Sequence, residues 1–232
     1  MAEGSYHHFC PVAMASEVLG ARCTINLVRE LVAGSTRFND LRRGLPRMSP
    51  ALLSKRLKEL ERRGIVRRVP SPREPDVLEY RLTPAGEELG PIIDALGVWG
   101  HRWIESELQL ENLDAALLMW DIRRNFKVDK LPPRRLVAQF IYAEQPEKWR
   151  NWWIVVDPRE GPDLCLVAPG YDVDLYVRTD LRTMTAVWMG LETLARAVDE
   201  ERVLLVGDQR LRGSIAASID RNFFASVQKR VG

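Results

Sequence analysis

The side chains of this 232-residue chain that could do chemistry are mostly cationic and are gathered in one stretch. From Arg22 to Arg68 there are 13 lysines and arginines against four acids (Glu30, Asp40, Glu59 and Glu61), although the net charge of the whole chain is only +2. The chemistry open to such groups is the neutralisation of an anionic surface: nucleic-acid phosphate, an acidic protein or a membrane. A basic face on a helix is also what an ordinary solvated surface looks like, so the elements that carry the charges must decide between these.

Covalent chemistry has little to work with. The chain contains no Gly-x-Gly-x-x-Gly, no phosphate-binding loop, no Gly-x-Ser-x-Gly and no His-Glu-x-x-His. Its histidines are His7, His8 and His101, too few for a histidine-based acid–base site, and the expectation is that the protein is not an enzyme. His7, His8 and Cys10 stand close enough to suggest a metal, but no fourth ligand follows at a useful spacing. They read as a polar N-terminal arm, and neither a metal nor a cofactor is expected. Cys10, Cys23 and Cys165 are too dispersed for a disulfide framework. No apolar run approaches the roughly 20 residues of a membrane span, and no Lys or Arg precedes Arg22 as a secretory signal would require. A cytoplasmic protein with no membrane partner is the expectation.

The elements that must position the cations can be read from local signals. "SPALLSKRLKELERRG" (Ser49–Gly64) is a helix with Ser49 as N-cap, Pro50 at the first position and Gly64 as its left-handed stop. Leu53, Leu57 and Leu60 form its buried stripe, which leaves Ala51, Ser54, Lys55, Lys58 and Arg62 on the far side. Helical patterns precede it at Pro11–Leu19, Ala21–Val32 and Phe38–Gly44, and "LPRMS" makes the turn, giving a helix-turn-helix arrangement. "GIVRRVP" and "VLEYRLT", joined by the proline-broken "SPREPD", read as a hairpin wing whose Arg67, Arg68 and Arg73 would reach phosphates. Within its second strand Val77, Glu79 and Arg81 alternate against Leu78, Tyr80 and Leu82. Thr83-Pro84 then starts a helix expected to run to about Leu110. Leu89, Ile92, Leu96, Trp99 and Trp103 follow a helix-pairing spacing, either a core stripe or a short dimer contact.

Past Asn112 the composition changes. A helix at "LDAALLMWDIRRNF" precedes strands expected at Arg135–Glu144, Asn151–Asp157, Asp163–Val167 and Asp172–Arg178, the last as a half-exposed antiparallel strand. Helices are expected at Leu181–Gly190 and Glu192–Val198, a strand at Arg202–Val206, and a helix from Gln209 to about Lys229. The fold class is therefore α+β in two domains, 1–110 and 111–232. Phe140, Tyr142, Trp152, Trp153, Leu175, Val187, Trp188 and Leu191 are apolar residues that would either pack a core or line a ligand cavity.

Two resemblances emerge from these stretches. "CPVAMASEVLGARCTINLVRELVAGSTRFNDLRRGLPRMSPALLSKRLKELERRGIVRR" with "EYRLTPAGEELGP", about residues 9 to 103, resembles the HxlR-type winged-helix regulators, bacterial relatives of the MarR group. It departs from them at "GARCT", where Gly-Lys-Trp is common. The resemblance implies a homodimer that binds a double-stranded, inverted-repeat operator and controls transcription. Arg47, Ser49, Ala51, Ser54, Lys55 and Lys58 would then face bases and phosphates, and the Leu89–Trp103 seam would lie in the dimer. It also implies an oxidant-sensing alternative for Cys10, beside the plainer reading of a partly buried structural thiol. "WWIVVDP", "PDLCLVAPGYDVDLYVRTDLRTMTAVWMG" and "ERVLLVGD", within about residues 113 to 215, resemble the sterol carrier protein type 2 fold, an α/β sandwich. That likeness implies an apolar effector. An alternative reading of the whole is a carrier of lipid or other hydrophobic ligands without operator recognition.

Overall fold

A computed structural model describes residues 9–104, 113–219 and 223–230. The chain divides into two compact units, Met1–Val98 and Trp99–Gly232.

In the first unit, α1 (Pro11–Leu19), α2 (Thr24–Val32), α3 (Phe38–Gly44) and α4 (Pro50–Arg62) precede a hairpin of β1 (Val66–Pro70) and β2 (Leu78–Leu82). Local chemistry sets the ends of α4. The Ser49 side chain accepts from the Leu52 amide at 3.2 Å, Pro50 occupies the first position, and Gly64 takes a φ of 69°. Leu53, Leu57 and Leu60 are buried with Leu27, Val28, Leu31, Leu41 and Ile93, so the leucine stripe of α4 is the centre of a helical core. The hairpin is antiparallel with Arg68 opposite Tyr80, and the Tyr80 amide also donates to the Thr36 carbonyl at 2.7 Å, fastening β2 to the entry of α3.

The helix expected from Thr83 to about Leu110 is broken. Thr83 caps a single turn, α5 (Pro84–Glu87), and a separate α6 runs Gly90–Trp103. Pro91 has no amide hydrogen to continue the ladder, and its ring crowds the carbonyl one turn back, which ends α5 at Glu87. The expected end near Leu110 lies outside the described residues. On β2 the alternation also differs from a simple apolar inner face: Glu79 is buried and Leu78 is half exposed.

The second unit is mixed α/β. After α7 (Ala115–Asn125) come β3 (Leu136–Tyr142), α8 (Glu147–Arg150), β4 (Asn151–Asp157), β5 (Gly161–Cys165), β6 (Leu175–Thr179), α9 (Leu181–Trp188), α10 (Leu194–Asp199), β7 (Val203–Gly207) and α11 (Gln209–Ser218). The sheet order is β5-β4-β3-β6-β7. β6 runs antiparallel to β7 but parallel to β3, with Phe140 opposite Val177, so the expectation of a purely antiparallel strand is corrected. β6 also starts later than its sequence pattern. Just before it, the Asp174 carboxylate accepts from the Val137 amide at 2.9 Å and from Arg134 at 2.8 Å, while the Asp174 amide donates to the Val137 carbonyl at 2.9 Å. The final helix ends at Ser218 rather than near Lys229. The Ser218 carbonyl accepts from the Lys127 amide at 3.1 Å, and Ser214 and Ser218 bond back to carbonyls four residues earlier, competing with the helix ladder.

Candidate nucleic-acid interface

The turn between α3 and α4 gathers Asn39, Arg42 and Arg43 with Arg47 and Ser49 around a cleft of about 630 Å³. Among the described residues Arg42 and Arg47 have no acidic partner, while Arg43 stands 3.6 Å from Asp40. Sequence spacing had singled out Arg47 and Ser49 but not Arg42. Only the folded turn brings the end of α3 to the start of α4.

Along α4 the expected residues are accessible. Ser49, Ala51, Lys55 and Lys58 are exposed and Ser54 is half-buried. Lys55 and Lys58 have no carboxylate partner among the described residues. Arg56 differs: it donates to Glu59 at 2.5 Å and to the Arg22 carbonyl at 3.3 Å, so its charge is internally committed. Exposed, unpaired cations on one side and paired ones on the flank leave a face suited to phosphate and base edges.

The wing holds Arg67, Arg68 and Arg73, all exposed. Arg67 and Arg73 have no partner among the described residues. Arg68 donates to Glu61 of α4 at 2.9 Å, and that hydrogen bond with the Glu61 charge holds its guanidinium above its ordinary pKa. Arg68 is therefore as much a tie between helix and wing as a free cation.

A further set of functional residues was missed in the sequence. Ser71, which is buried, donates to the buried Glu79 carboxylate at 2.8 Å, and Arg81 donates to it at 2.6 Å. Arg37, at the N-terminus of α3, lies 3.8 Å from Glu79 and donates to Glu74 in the wing loop at 2.8 Å. Burial alone would raise the Glu79 carboxyl, but the hydrogen bonds from Ser71 and Arg81 and the charges of Arg81 and Arg37 outweigh it and hold the group below the usual carboxylate range. This network fixes the wing against the helix-turn-helix. No short-range pattern signals it, because Arg37 and Glu79 are far apart in sequence.

On α6, Ile92, Leu96, Trp99 and Trp103 are exposed and Ile93 turns inward, while Leu89, just before the helix, is half-buried. Cys10, Cys23 and Cys165 are half-buried and form no disulfide, with Cys10 at the start of α1. Among the described residues no three His, Cys, Asp or Glu side chains gather as a metal site. His7 and His8 lie outside the described residues.

In the second unit Phe140, Tyr142, Trp152, Leu175, Val187 and Trp188 are buried in the core, Trp153 is half-buried and Leu191 is exposed. The Trp152 indole N–H donates to the Trp149 carbonyl at 2.8 Å and the two rings stack at 5.7 Å. A groove of about 890 Å³ does exist, lined by Leu194, Val198, Leu205, Ala216 and Ile219 with Arg212 and Asp199. Of the eight residues singled out from the sequence only Val187 reaches it. The groove is formed by α10, β7 and α11, elements whose meeting the sequence does not announce.

Comparison with known proteins agrees with the first unit. Residues 18–108 match the model of the HxlR-like helix-turn-helix family. The uncharacterised HTH-type transcriptional regulator YvaP of Bacillus subtilis strain 168 is 39% identical over 97 residues, covering 41% of this chain and 90% of the relative. The regulator sll1512 of Synechocystis is 36% identical over 100 residues, 43% of this chain and 74% of the relative. Among solved structures, the reduced form of the transcriptional regulator YodB from B. subtilis is 31% identical, with a TM-score of 0.36 over 40% of this chain and 92% of that one. Among the described residues no helix is long and apolar enough to cross a membrane. The chain belongs to the HxlR-like helix-turn-helix family of transcriptional regulators, with a winged-helix unit followed by an α/β unit that lies almost entirely beyond the family match.

Proposed function

We propose that the protein is a cytoplasmic, homodimeric regulator that binds an inverted-repeat operator in double-stranded DNA through α4 and the wing. The observation that carries this reading is the set of exposed cations without acidic partners among the described residues: Arg47, beside Ser49 just before α4, Lys55 and Lys58, beside Ala51 and Ser54 on α4, and Arg67 and Arg73 on the wing. α4 enters the major groove, its leucines hold it to the domain, and the wing arginines, Arg68 included, meet flanking phosphates. The half-exposed stripe of Ile92, Leu96, Trp99 and Trp103, with Leu89, supports pairing of two copies through α6. Two-fold pairing requires half-sites one helical turn apart or a multiple of it.

The second unit is read as a sterol carrier protein-like domain that receives an apolar effector. The α10–β7–α11 groove supports this, being apolar over most of its lining, with Asp199 and Arg212 as its charged members. The alternative, a hydrophobic-ligand carrier without operator recognition, rests on that groove alone. Selection of bound DNA from a random pool separates the two. A regulator enriches one palindromic motif, whereas a carrier enriches none and retains ligand binding. Thiol labelling before and after oxidant treatment, read alongside operator affinity, tests the oxidant-sensing role for Cys10.

A further inference from the structure

The tip of the wing is held from outside the hairpin. Between β1 and β2, Pro72 and Pro75 bracket Arg73 and Glu74, which fixes two φ angles and biases the residue before each proline toward extended backbone. The loop also closes on itself: the Ser71 amide donates to the Val77 carbonyl at 2.7 Å, and the Val77 amide to the Glu74 carbonyl at 2.8 Å. A segment this stiff moves as a unit, so what holds Glu74 also holds Arg73. Glu74 is held by Arg37, which donates to its carboxylate at 2.8 Å. The same guanidinium donates to the Ser71 hydroxyl at 3.4 Å and stands 3.8 Å from Glu79. An exposed ion pair usually contributes little, because two long side chains must be ordered to make it. Here the buried Ser71 and Glu79 already order Arg37, so that cost falls mainly on Glu74. One residue earlier, the Thr36 carbonyl accepts from the Tyr80 amide at 2.7 Å. Two adjacent residues at the start of α3 thus grip both β2 and the loop.

We infer, resting on the DNA reading above, that Arg37 and Glu74 are positioning residues for DNA binding, holding Arg73 where it meets a phosphate without touching DNA themselves. Charge counting and anchoring predict opposite signs for Glu74. As an acid beside a phosphate contact, its removal should tighten DNA binding if charge alone matters. If it is an anchor, its removal should weaken binding, because Arg73 must then be ordered on association. The test titrates the full chain, Glu74→Ala, Arg37→Lys, Arg73→Ala and Glu74→Ala/Arg73→Ala against cognate and scrambled DNA at several salt concentrations. Glu74→Ala should weaken both DNAs roughly threefold to tenfold and lower the log–log salt slope toward that of Arg73→Ala. Arg37→Lys keeps the charge but loses the forked donors, and should weaken binding similarly. The double variant should bind about as Arg73→Ala does, since the anchor has nothing left to position. The Glu74 side chain is 55% exposed, so Glu74→Ala should keep its fold, which circular dichroism checks. Without DNA, its Ser71 and Val77 amides should exchange hydrogen faster than in the parent. The inference is overturned if Glu74→Ala binds as tightly as the parent or more tightly, if the two losses simply add, or if the exchange is unchanged. A parent that binds cognate and scrambled DNA alike loses the operator reading and leaves this test intact, whereas one that binds no DNA sinks both.

Discussion

The Glu30 carboxylate occupies the space beside Gly44 that any larger residue would need: a Cβ on Gly44 would fall on that side chain. Glu30 is fully buried at the end of α2, held by Arg29 at 2.6 Å and by the Ser35 hydroxyl at 3.2 Å. The last residue of α3 must therefore be small so that a buried charge can keep its partners. Gly44→Ala is expected to destabilise the unit by about 1–3 kcal/mol, the usual cost of overpacking. In a Glu30→Ala background the same change should cost much less, because the obstruction is gone. Urea unfolding of the four members of this cycle measures the coupling, and simple additivity would refute the contact.

Base reading and charge attraction should separate cleanly on α4 and the wing. Lys55→Ala is expected to cost about 1–3 kcal/mol on cognate DNA and to relax preference at one operator position. Arg73→Ala should weaken all sequences alike and reduce the log–log salt slope by about one unit. Arg68→Ala should change that slope less than Arg73→Ala, since Glu61 already neutralises part of its charge. Titrations against cognate and scrambled DNA at several salt concentrations give all three values.

Acid should loosen the wing before it loosens the core. The folded Glu79 pKa lies below the ordinary 4.5, so its stabilising contribution is complete above that value and is lost as pH falls through the folded value. Glu79→Gln should flatten the acid limb of stability against pH. At neutral pH it should cost about 1–3 kcal/mol, from a buried network left partly unmatched. Thermal unfolding from pH 3 to 7 reports both effects, and an unchanged acid limb would contradict the role given to Glu79.

The stripe on α6 predicts oligomeric state. Trp99→Gln with Trp103→Gln should yield monomers in sedimentation at concentrations where the parent is dimeric. Each tryptophan is about half exposed in the single chain, 57% and 49%, so their replacement should leave monomer stability nearly unchanged. A persistent dimer would move the interface off α6.

What was legible in the sequence was what short-range chemistry writes. The Ser49 cap, Pro50, the Gly64 stop and the Leu53–Leu57–Leu60 stripe fixed α4 almost to the residue, and the β4 pattern at Asn151–Asp157 matched its strand. Features made by distant partners were not legible. A glutamate at position 79 looks like a solvated strand residue until Arg37 and Ser71 arrive beside it. The parallel pairing of β6 depends on β3, with two strands between them in the chain. Trp152 and Phe140 read first as core, with a ligand cavity left open because apolarity does not say which face is filled, and the structure buries both in the core. The break before α6 was available in Pro91, outweighed by the apolar periodicity that continues past it.

The single parallel pairing in the sheet also has a consequence in time. β3 cannot meet β6 until the β4–β5 hairpin has been looped out of the way, so the centre of this sheet closes through a long loop, while the winged-helix core is built chiefly from neighbouring helices. Loop closure of that kind slows folding relative to local helix packing. On a ribosome the DNA-facing unit, which emerges first, would be native while the strands after it are still searching for their register. A refolding trace should accordingly show a fast helical phase followed by a slower one, carried by the burial of Trp152 against its sheet.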